Sequence, residues 1–260
     1  MTIEEMLRGG QVRTAENGLM YAIVAEEDGP EPRGLEHMVE AVPRSLIPPL
    51  GRAVCYFVPW LYKQRRSILI GLAPAAAGEN RKEMCHHLDV KPSGSLLLIS
   101  LKFYEHDSYG LAMEFFDKVA YLAALEAPGS SDFESLLRRQ FDSGKAGELT
   151  PEAWEWRSAY AKLVKPEPKA AQGDRDQGNE AWRNYCRSAE ADALGLYMAS
   201  MFTDIFYEDL FEPEADFPPL ESALVHERVR SVEHLYPANR GYSLQIVRQR
   251  PRRRRPAANR

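Results

Sequence analysis

Cys85-His86-His87, with Asp89 two positions later, brings together side chains that can ligate a metal. Thiolate, imidazole and carboxylate groups all bind zinc. No second pair follows at the ligand spacing of a zinc finger, so other histidines can join this cluster only through the fold; they are His106, His226 and His234. The alternative is a polar loop with ordinary hydrogen bonds. The sequence leaves this choice open, and we assign no metal ligand and no cofactor.

An arginine-rich tail is the second feature with clear chemistry. It contains seven arginines and no acidic residue, at Arg248, Arg250, Arg252, Arg253, Arg254, Arg255 and Arg260. A guanidinium group keeps its charge and presents a planar set of donors to phosphate oxygens. Because Pro251 and Pro256 flank the run of four arginines, we expect this segment to be extended and disordered. It predicts contact with nucleic acid or another polyanion, a nuclear-import-like address, or a solubilising end.

Glutamates on two predicted helices suggest a further chemistry. Strand 95–104 leads into a helix with Met113-Glu114-Phe115-Phe116-Asp117, and a later helix carries Glu190. This order of elements resembles zinc metallopeptidases of the gluzincin type, in which an HExxH helix follows the edge strand and a second helix brings the third ligand. The resemblance implies Glu114 as general base and Glu190 as third ligand.

The same resemblance implies that the two best zinc ligands are missing, because Met113 and Asp117 stand where the histidines of HExxH belong. Methionine does not suit zinc. Glu114 also lies four residues before Lys118, the spacing of an ordinary surface pair on a helix. Within this resemblance an inactive relative is favoured over an active zinc peptidase, and the catalytic residues of any enzyme remain unknown.

The other catalytic and binding motifs that we considered are either missing from the sequence or better explained by packing. The sequence contains no G-x-S-x-G elbow, no G-x-x-x-x-G-K-[ST] loop and no G-x-G-x-x-G after a strand. An aromatic group brackets residues 165–178 and could stack on bases, although its helical spacing favours burial in the core. Its members are Trp154, Trp156, Tyr160, Trp182 and Tyr185.

Amino-acid composition and charge indicate the general class of protein. The chain has 260 residues, 44% hydrophobic and 27% charged, as in an ordinary globular protein with a sizeable core. The net charge of −5 conceals an asymmetry, because residues 1–247 carry 26 basic and 38 acidic residues while the tail is purely basic. Three widely spaced cysteines predict no disulfide framework. The apolar runs are too short for a membrane span, and the first residues do not form a secretory signal.

Strands are predicted in the first half of the chain and helices in the second. Runs with alternating or β-branched residues predict strands at 19–25, 53–62, 67–72 and 95–104, with residues 63–66 as a charged hairpin loop and 242–247 as a final strand. Helical periodicity predicts helices at 1–10, 35–42, 111–127, 133–141, 150–164, 179–210 and 220–235. Residues 165–178 are predicted to form a flexible loop.

This order predicts one α+β domain over residues 1–247, with a mostly antiparallel sheet packed by helices and a disordered basic tail from residue 248. We expect a non-catalytic binding or regulatory protein that contacts a polyanion, nucleic acid first, through the tail arginines. The alternatives are the gluzincin-type enzyme or inactive relative, and a protein–protein interaction module. We expect no membrane partner, and a cytoplasmic location, or a nuclear one in a eukaryote or virus.

Overall fold

The computed structural model of the chain describes residues 1–9, 11–24, 34–75, 81–91, 94–126, 130–164, 172–206, 221–244 and 246–247. The predicted tail, including Arg248, Arg250, Arg252, Arg253, Arg254, Arg255 and Arg260, lies outside the described residues, as does most of the acidic segment 208–221. None of the helices within the described ranges is both long enough and apolar enough to cross a membrane.

The part of the chain that the structure describes contains ten strands in three sheets. In chain order they are β1 Arg13–Thr14, β2 Met20–Ile23, β3 Val54–Val58, β4 Trp60–Gln64, β5 Ser67–Gly71, β6 Lys82–Glu83, β7 His86–Asp89, β8 Leu96–Ser100, β9 Ile205–Phe206 and β10 Ile246–Val247. The largest sheet has the order β1-β2-β3-β8-β7, a smaller one has the order β5-β4-β6, and β9 pairs with β10.

The α+β class is confirmed, but the direction of the strands is more mixed than the sequence suggested. In the largest sheet β2, β3 and β8 are parallel, with Cys55 in register with Tyr21 on one side and Leu97 on the other. Only the edge strands β1 and β7 run antiparallel to their neighbours. The small β5-β4-β6 sheet is wholly antiparallel. Parallel strands are usually covered on both faces, which agrees with the strongly apolar sequences of β3 and β8.

Pro59 divides the predicted strand 53–62 into two strands of different sheets. Proline has no N–H to donate to a ladder and is found at strand ends and edges. β3 therefore ends at Val58, and β4 begins at Trp60 and pairs with β5 instead. The predicted charged hairpin loop is confirmed, but it is shorter than expected, since only Arg65 and Arg66 form the turn and Arg65 has a φ of 56°.

The described residues contain eight α-helices, of which all but the third overlap a predicted segment. They are α1 Ile3–Gly9, α2 Leu35–Glu40, α3 Ile47–Leu50, α4 Ser108–Glu126, α5 Ser131–Asp142, α6 Pro151–Val164, α7 Gln172–Phe202 and α8 Ser222–Leu235, with 3₁₀ turns at Arg44–Leu46 and Lys102–Tyr104. Ser130 caps α5 as predicted, since its hydroxyl accepts a hydrogen bond from the Asp132 N–H at 3.3 Å. α7 begins at Gln172, within the segment predicted as a loop.

The core consists of two clusters on the two sides of the large sheet. The larger cluster contains residues of β8, α4 and α7, among them Leu97, Ile99, Phe115, Val119, Leu122 and Leu196. Ile70 is also buried, but it belongs to the second cluster with Met6, Tyr56 and Val58. Successive residues of a strand face opposite sides of the sheet, so the neighbours Tyr56 and Phe57 belong to different clusters.

Helices α4 and α7 pack closely enough to need a glycine between them. A Cβ atom at Gly195 would lie only 3.3 Å from the Cα of Asp117 and 3.6 Å from the carbonyl oxygen of Phe116. This close contact places Asp117 and Lys118 of α4 beside α7, at the rim of a cleft.

Candidate functional site

A polar cleft of about 500 Å³ opens beside the edge strand β7, between helices α4, α6 and α7. It is lined by His86 and Leu88 from β7, Asp117, Lys118 and Tyr121 from α4, Thr150, Pro151 and Glu152 at the start of α6, and Ser188, Ala191 and Asp192 from α7. Four elements from distant parts of the sequence therefore converge here. A cleft at such a junction, with several polar groups, is where a ligand site is expected.

Glu114 is the centre of a hydrogen-bonded group that borders this cleft through His86 and Lys118. Its Oε2 accepts a hydrogen bond from the Tyr104 hydroxyl at 3.0 Å, and its Oε1 lies 2.5 Å from His86 Nδ1. The Cys85 thiol lies 3.3 Å from the same His86 nitrogen. These three ligand atoms of Cys85, His86 and Glu114 all lie within 4.8 Å of one another.

The environment of Glu114 favours its ionised form. Burial raises the pKa of its carboxyl, but the contacts with His86, Lys118 and Tyr104 outweigh burial and lower this pKa below its usual value. Lys118 Nζ lies 3.6 Å from Glu114 Oε1 and 2.7 Å from Asp117 Oδ2. Burial lowers the pKa of Lys118, and the two carboxylates raise it by more. The wall therefore carries alternating charges in close contact.

The gluzincin resemblance places the two zinc-binding histidines at Met113 and Asp117. The surroundings of these two residues do not indicate zinc binding. Met113 packs against the larger core cluster. Asp117 lines the cleft and forms its ion pair with Lys118. The strand that leads into this helix, β8, is also not the edge strand, which is β7. Glu114 therefore has no histidine at either of the two positions where the resemblance would place a zinc ligand.

Asp192 is the carboxylate that α7 contributes to the cleft. It is 9% exposed, and it accepts hydrogen bonds from the Thr150 hydroxyl at 3.0 and 2.9 Å to its two oxygens. Burial raises the pKa of Asp192 to about 7, helped by the negative charge of Asp117 and opposed by the Thr150 hydrogen bond. A carboxyl with such a pKa can exchange a proton near neutral pH.

Glu190, the candidate third ligand, lies elsewhere. Two residues along a helix are about 200° apart around its axis, and Glu190 contacts Tyr236 at the end of α8, whereas Asp192 lines the cleft. Burial raises the pKa of Glu190 to about 7, and its hydrogen bond with Tyr236 opposes this rise. α7 therefore does bring a carboxylate to the cleft, but it is Asp192.

The aromatic group is largely core, as its spacing favoured. Tyr160, Trp182 and Tyr185 are buried in the larger cluster, and the Trp182 indole N–H donates to Glu134 Oε1 at 2.6 Å. The guanidinium carbon of Arg138 lies 3.4 Å from the centroid of the Trp182 ring. Because Trp182 is stacked and hydrogen-bonded inside the protein, it is not available to stack on a nucleic-acid base.

The sequence identified Cys85, His86 and Glu114 separately but not their convergence. Among the described residues they form a set of three potential metal ligands, which includes neither His87 nor His106, His226 or His234. Their meeting depends on β7, which lies in a segment left without a predicted strand, and on its antiparallel pairing with β8, which sets His86 opposite Ile99. No spacing in the sequence carries that information.

Comparisons with protein-family models, with curated proteins and with solved structures found no match for this chain.

Proposed function

We propose that the chain is a non-catalytic binding or regulatory protein, and that its arginine-rich tail contacts nucleic acid or another polyanion. The observation that carries the non-catalytic part is the arrangement around Glu114, where Met113 and Asp117 replace the ligand histidines. The tail arginines supply the binding part. The proposal places the protein in the cytoplasm, or in a nucleus in a eukaryotic or viral setting, in agreement with three free thiols at Cys55, Cys85 and Cys186.

The cleft supports binding rather than peptide hydrolysis. A general base must be able to reach a water molecule held by the metal. The carboxylate of Glu114 instead contacts His86, Tyr104 and Lys118.

Charge supports the tail as the binding element. Seven arginines occur between residues 248 and 260, whereas residues 1–247 carry an excess of twelve negative charges. A polyanion is therefore attracted by the tail and repelled by the rest of the chain. The acidic segment 208–221 is a competitor for the tail arginines. Contacts between exposed charges are, however, weak and screened by salt. Release of counterions gives nucleic acid an advantage that a short acidic segment lacks.

Binding of a fluorescent DNA of arbitrary sequence to the full chain tests this part of the proposal. We expect weak, sequence-independent binding at low salt, with a log–log salt slope no steeper than about −6 for seven phosphate contacts. Deleting residues 248–260 should abolish binding, and replacing Arg252–Arg255 by lysine should weaken it only modestly, since charge dominates. Binding that survives the deletion, or no binding by the full chain at low salt, would contradict the proposal.

Hydrolysis of a denatured protein substrate with added zinc tests the competing enzyme. The non-catalytic proposal expects no zinc-dependent cleavage above the level of the Glu114→Gln variant. Cleavage lost in Glu114→Gln but kept in Glu152→Gln, an exposed residue of the cleft rim, would establish the metallopeptidase instead. A mass that rises with concentration, without DNA binding or hydrolysis, would favour the protein–protein interaction module.

A further inference from the structure

Beyond the proposed function, we propose that Cys85, His86 and Glu114 form a binding site for zinc or a similar transition-metal ion. The site differs from the one implied by the gluzincin comparison, because its ligands come from β7 and the residue before it, and because Glu114 serves as a ligand rather than a base. The structure places the three ligand atoms within 4.8 Å of one another, and His86 connects them to the cleft.

The distances fit a tetrahedral ion after a small adjustment. With metal–ligand bonds of about 2.0–2.3 Å, ligand atoms around tetrahedral zinc lie roughly 3.4–3.6 Å apart. Cys85 Sγ and His86 Nδ1 are 3.3 Å apart, while His86 Nδ1 and Glu114 Oε1 are 2.5 Å apart and must separate by roughly 1 Å. The His86 and Glu114 side chains are 30% and 20% exposed, so neither is fully enclosed by its neighbours.

The third ligand atom is a buried carboxylate oxygen. Glu114 Oε1 is inaccessible to solvent, with His86 Nδ1 at 2.5 Å and Lys118 Nζ at 3.6 Å. A bound cation would replace the His86 contact as a partner of this buried negative charge.

The neighbouring groups are those of a metal site. The Tyr104 hydroxyl donates to Glu114 Oε2 and so holds the carboxylate in place from outside the cluster. Tyr104 is also close enough to Cys85 for the thiol to raise the pKa of its hydroxyl, after the larger effect of burial. Lys118 is the unfavourable neighbour, but its nearer partner is Asp117, at 2.7 Å against 3.6 Å for Glu114. Asp117 therefore offsets its charge.

A cysteine–histidine–glutamate catalytic relay would need a different geometry. In such a relay the histidine uses one ring nitrogen for the nucleophile and the other for the acid. Here Cys85 Sγ and Glu114 Oε1 both face His86 Nδ1. Convergence on one point suits a cation, and the mixture of sulfur, nitrogen and oxygen donors selects zinc-like ions over magnesium and calcium, which prefer oxygen alone.

Cobalt(II) and zinc provide direct probes of the site in the purified full chain. We expect one zinc ion per chain by elemental analysis after dialysis, and a thiolate-to-cobalt charge-transfer band on addition of Co²⁺ at one equivalent. Cys85→Ser should remove the band, and His86→Ala and Glu114→Gln should each lower zinc affinity by at least tenfold. Tyr104→Phe should weaken binding by roughly 10–100-fold, the usual effect of losing a partner of a ligand.

Two matched controls separate this site from other thiols and imidazoles. His87→Gln alters the neighbouring residue of the same strand, whose side chain faces the other side of the sheet, and Cys186→Ser removes another partly exposed thiol. Both should keep the band and the bound zinc. Absence of the band in the wild-type chain, or its loss in Cys186→Ser but not in Cys85→Ser, would overturn the proposal. Because the readout is binding, the result is independent of hydrolysis or DNA binding.

Discussion

Glu148 and Arg228 form an ion pair in the interior, with 2.9 Å between Glu148 Oε1 and Arg228 Nη2 and only 2% exposure of either side chain. Tyr185 donates its hydroxyl to the same Glu148 oxygen at 2.6 Å, and Arg228 also donates to the Gly147 carbonyl and to Gln140 Oε1, each at 2.7 Å. The network joins α5, α7 and α8 to the segment before α6. It therefore fixes the segment that brings Thr150 to the cleft.

Replacing Arg228 by methionine should destabilise the protein by about 3–5 kcal/mol, because Glu148 would remain buried without its partner. Urea denaturation with an unchanged m-value would measure the loss. Arg230→Met is the matched control on the same helix, since Arg230 pairs with Glu233 at the surface and such pairs contribute about 0–1 kcal/mol. Equal effects of the two substitutions would refute the importance of the buried network.

Asp192 should make the protein less stable at alkaline pH. Its pKa is raised by burial from the ordinary 3.8 to about 7, so the folded state binds this proton more tightly than the unfolded state does. The resulting stabilisation is complete below about pH 4 and is lost as the pH rises through about 7. Glu190, with its pKa also raised to about 7 by burial, adds a loss of the same sign.

Asp192→Asn should therefore raise the free energy of unfolding at pH 8, on the order of 1–3 kcal/mol, and leave it nearly unchanged at pH 5. The amide oxygen can still accept the Thr150 hydrogen bond. Urea titrations of both proteins at the two pH values would measure the difference. Asp176→Asn, at an exposed position of the same helix, is the control. A variant that is destabilised equally at both pH values would contradict the assignment.

The helices were predictable because their signals are local. Ser130 before α5 and Pro151 at the start of α6 mark the two helix beginnings, and the spacing of Phe115, Val119 and Leu122 gives the buried face of α4. Each signal depends on residues within a few positions of one another. The structure therefore agrees with the sequence most closely in the second half of the chain.

Strand direction and the candidate site depend on pairing between distant segments. β3 is apolar along its length, which suits a parallel or an antiparallel central strand equally, and nothing local reveals that β2 and β8 run parallel to it. The cleft likewise needs β7 beside β8 before His86 can meet Glu114. Glu190 and Asp192 were equally available in the sequence, and only the rotation of α7 against α4 selects Asp192 for the cleft.

Gly195 and Gly178 should respond in opposite directions to the same substitution. Both lie in α7, where glycine is less favourable than alanine by about 1 kcal/mol. A Cβ atom at Gly178 would meet only Leu163 Cβ at 3.9 Å, an ordinary contact. Gly178→Ala should therefore stabilise the protein by up to about 1 kcal/mol.

At Gly195 the new methyl group would lie 3.3 Å from the Asp117 Cα, and a backbone atom of a packed helix cannot move aside easily. Gly195→Ala should destabilise the protein by about 1–3 kcal/mol, the usual effect of overpacking, in spite of its better helix propensity. It should also displace Asp117 and Lys118 and so change the cleft. Thermal unfolding of the two single variants would measure both signs, and a stabilising Gly195→Ala would show that α4 and α7 are not held at this distance in solution.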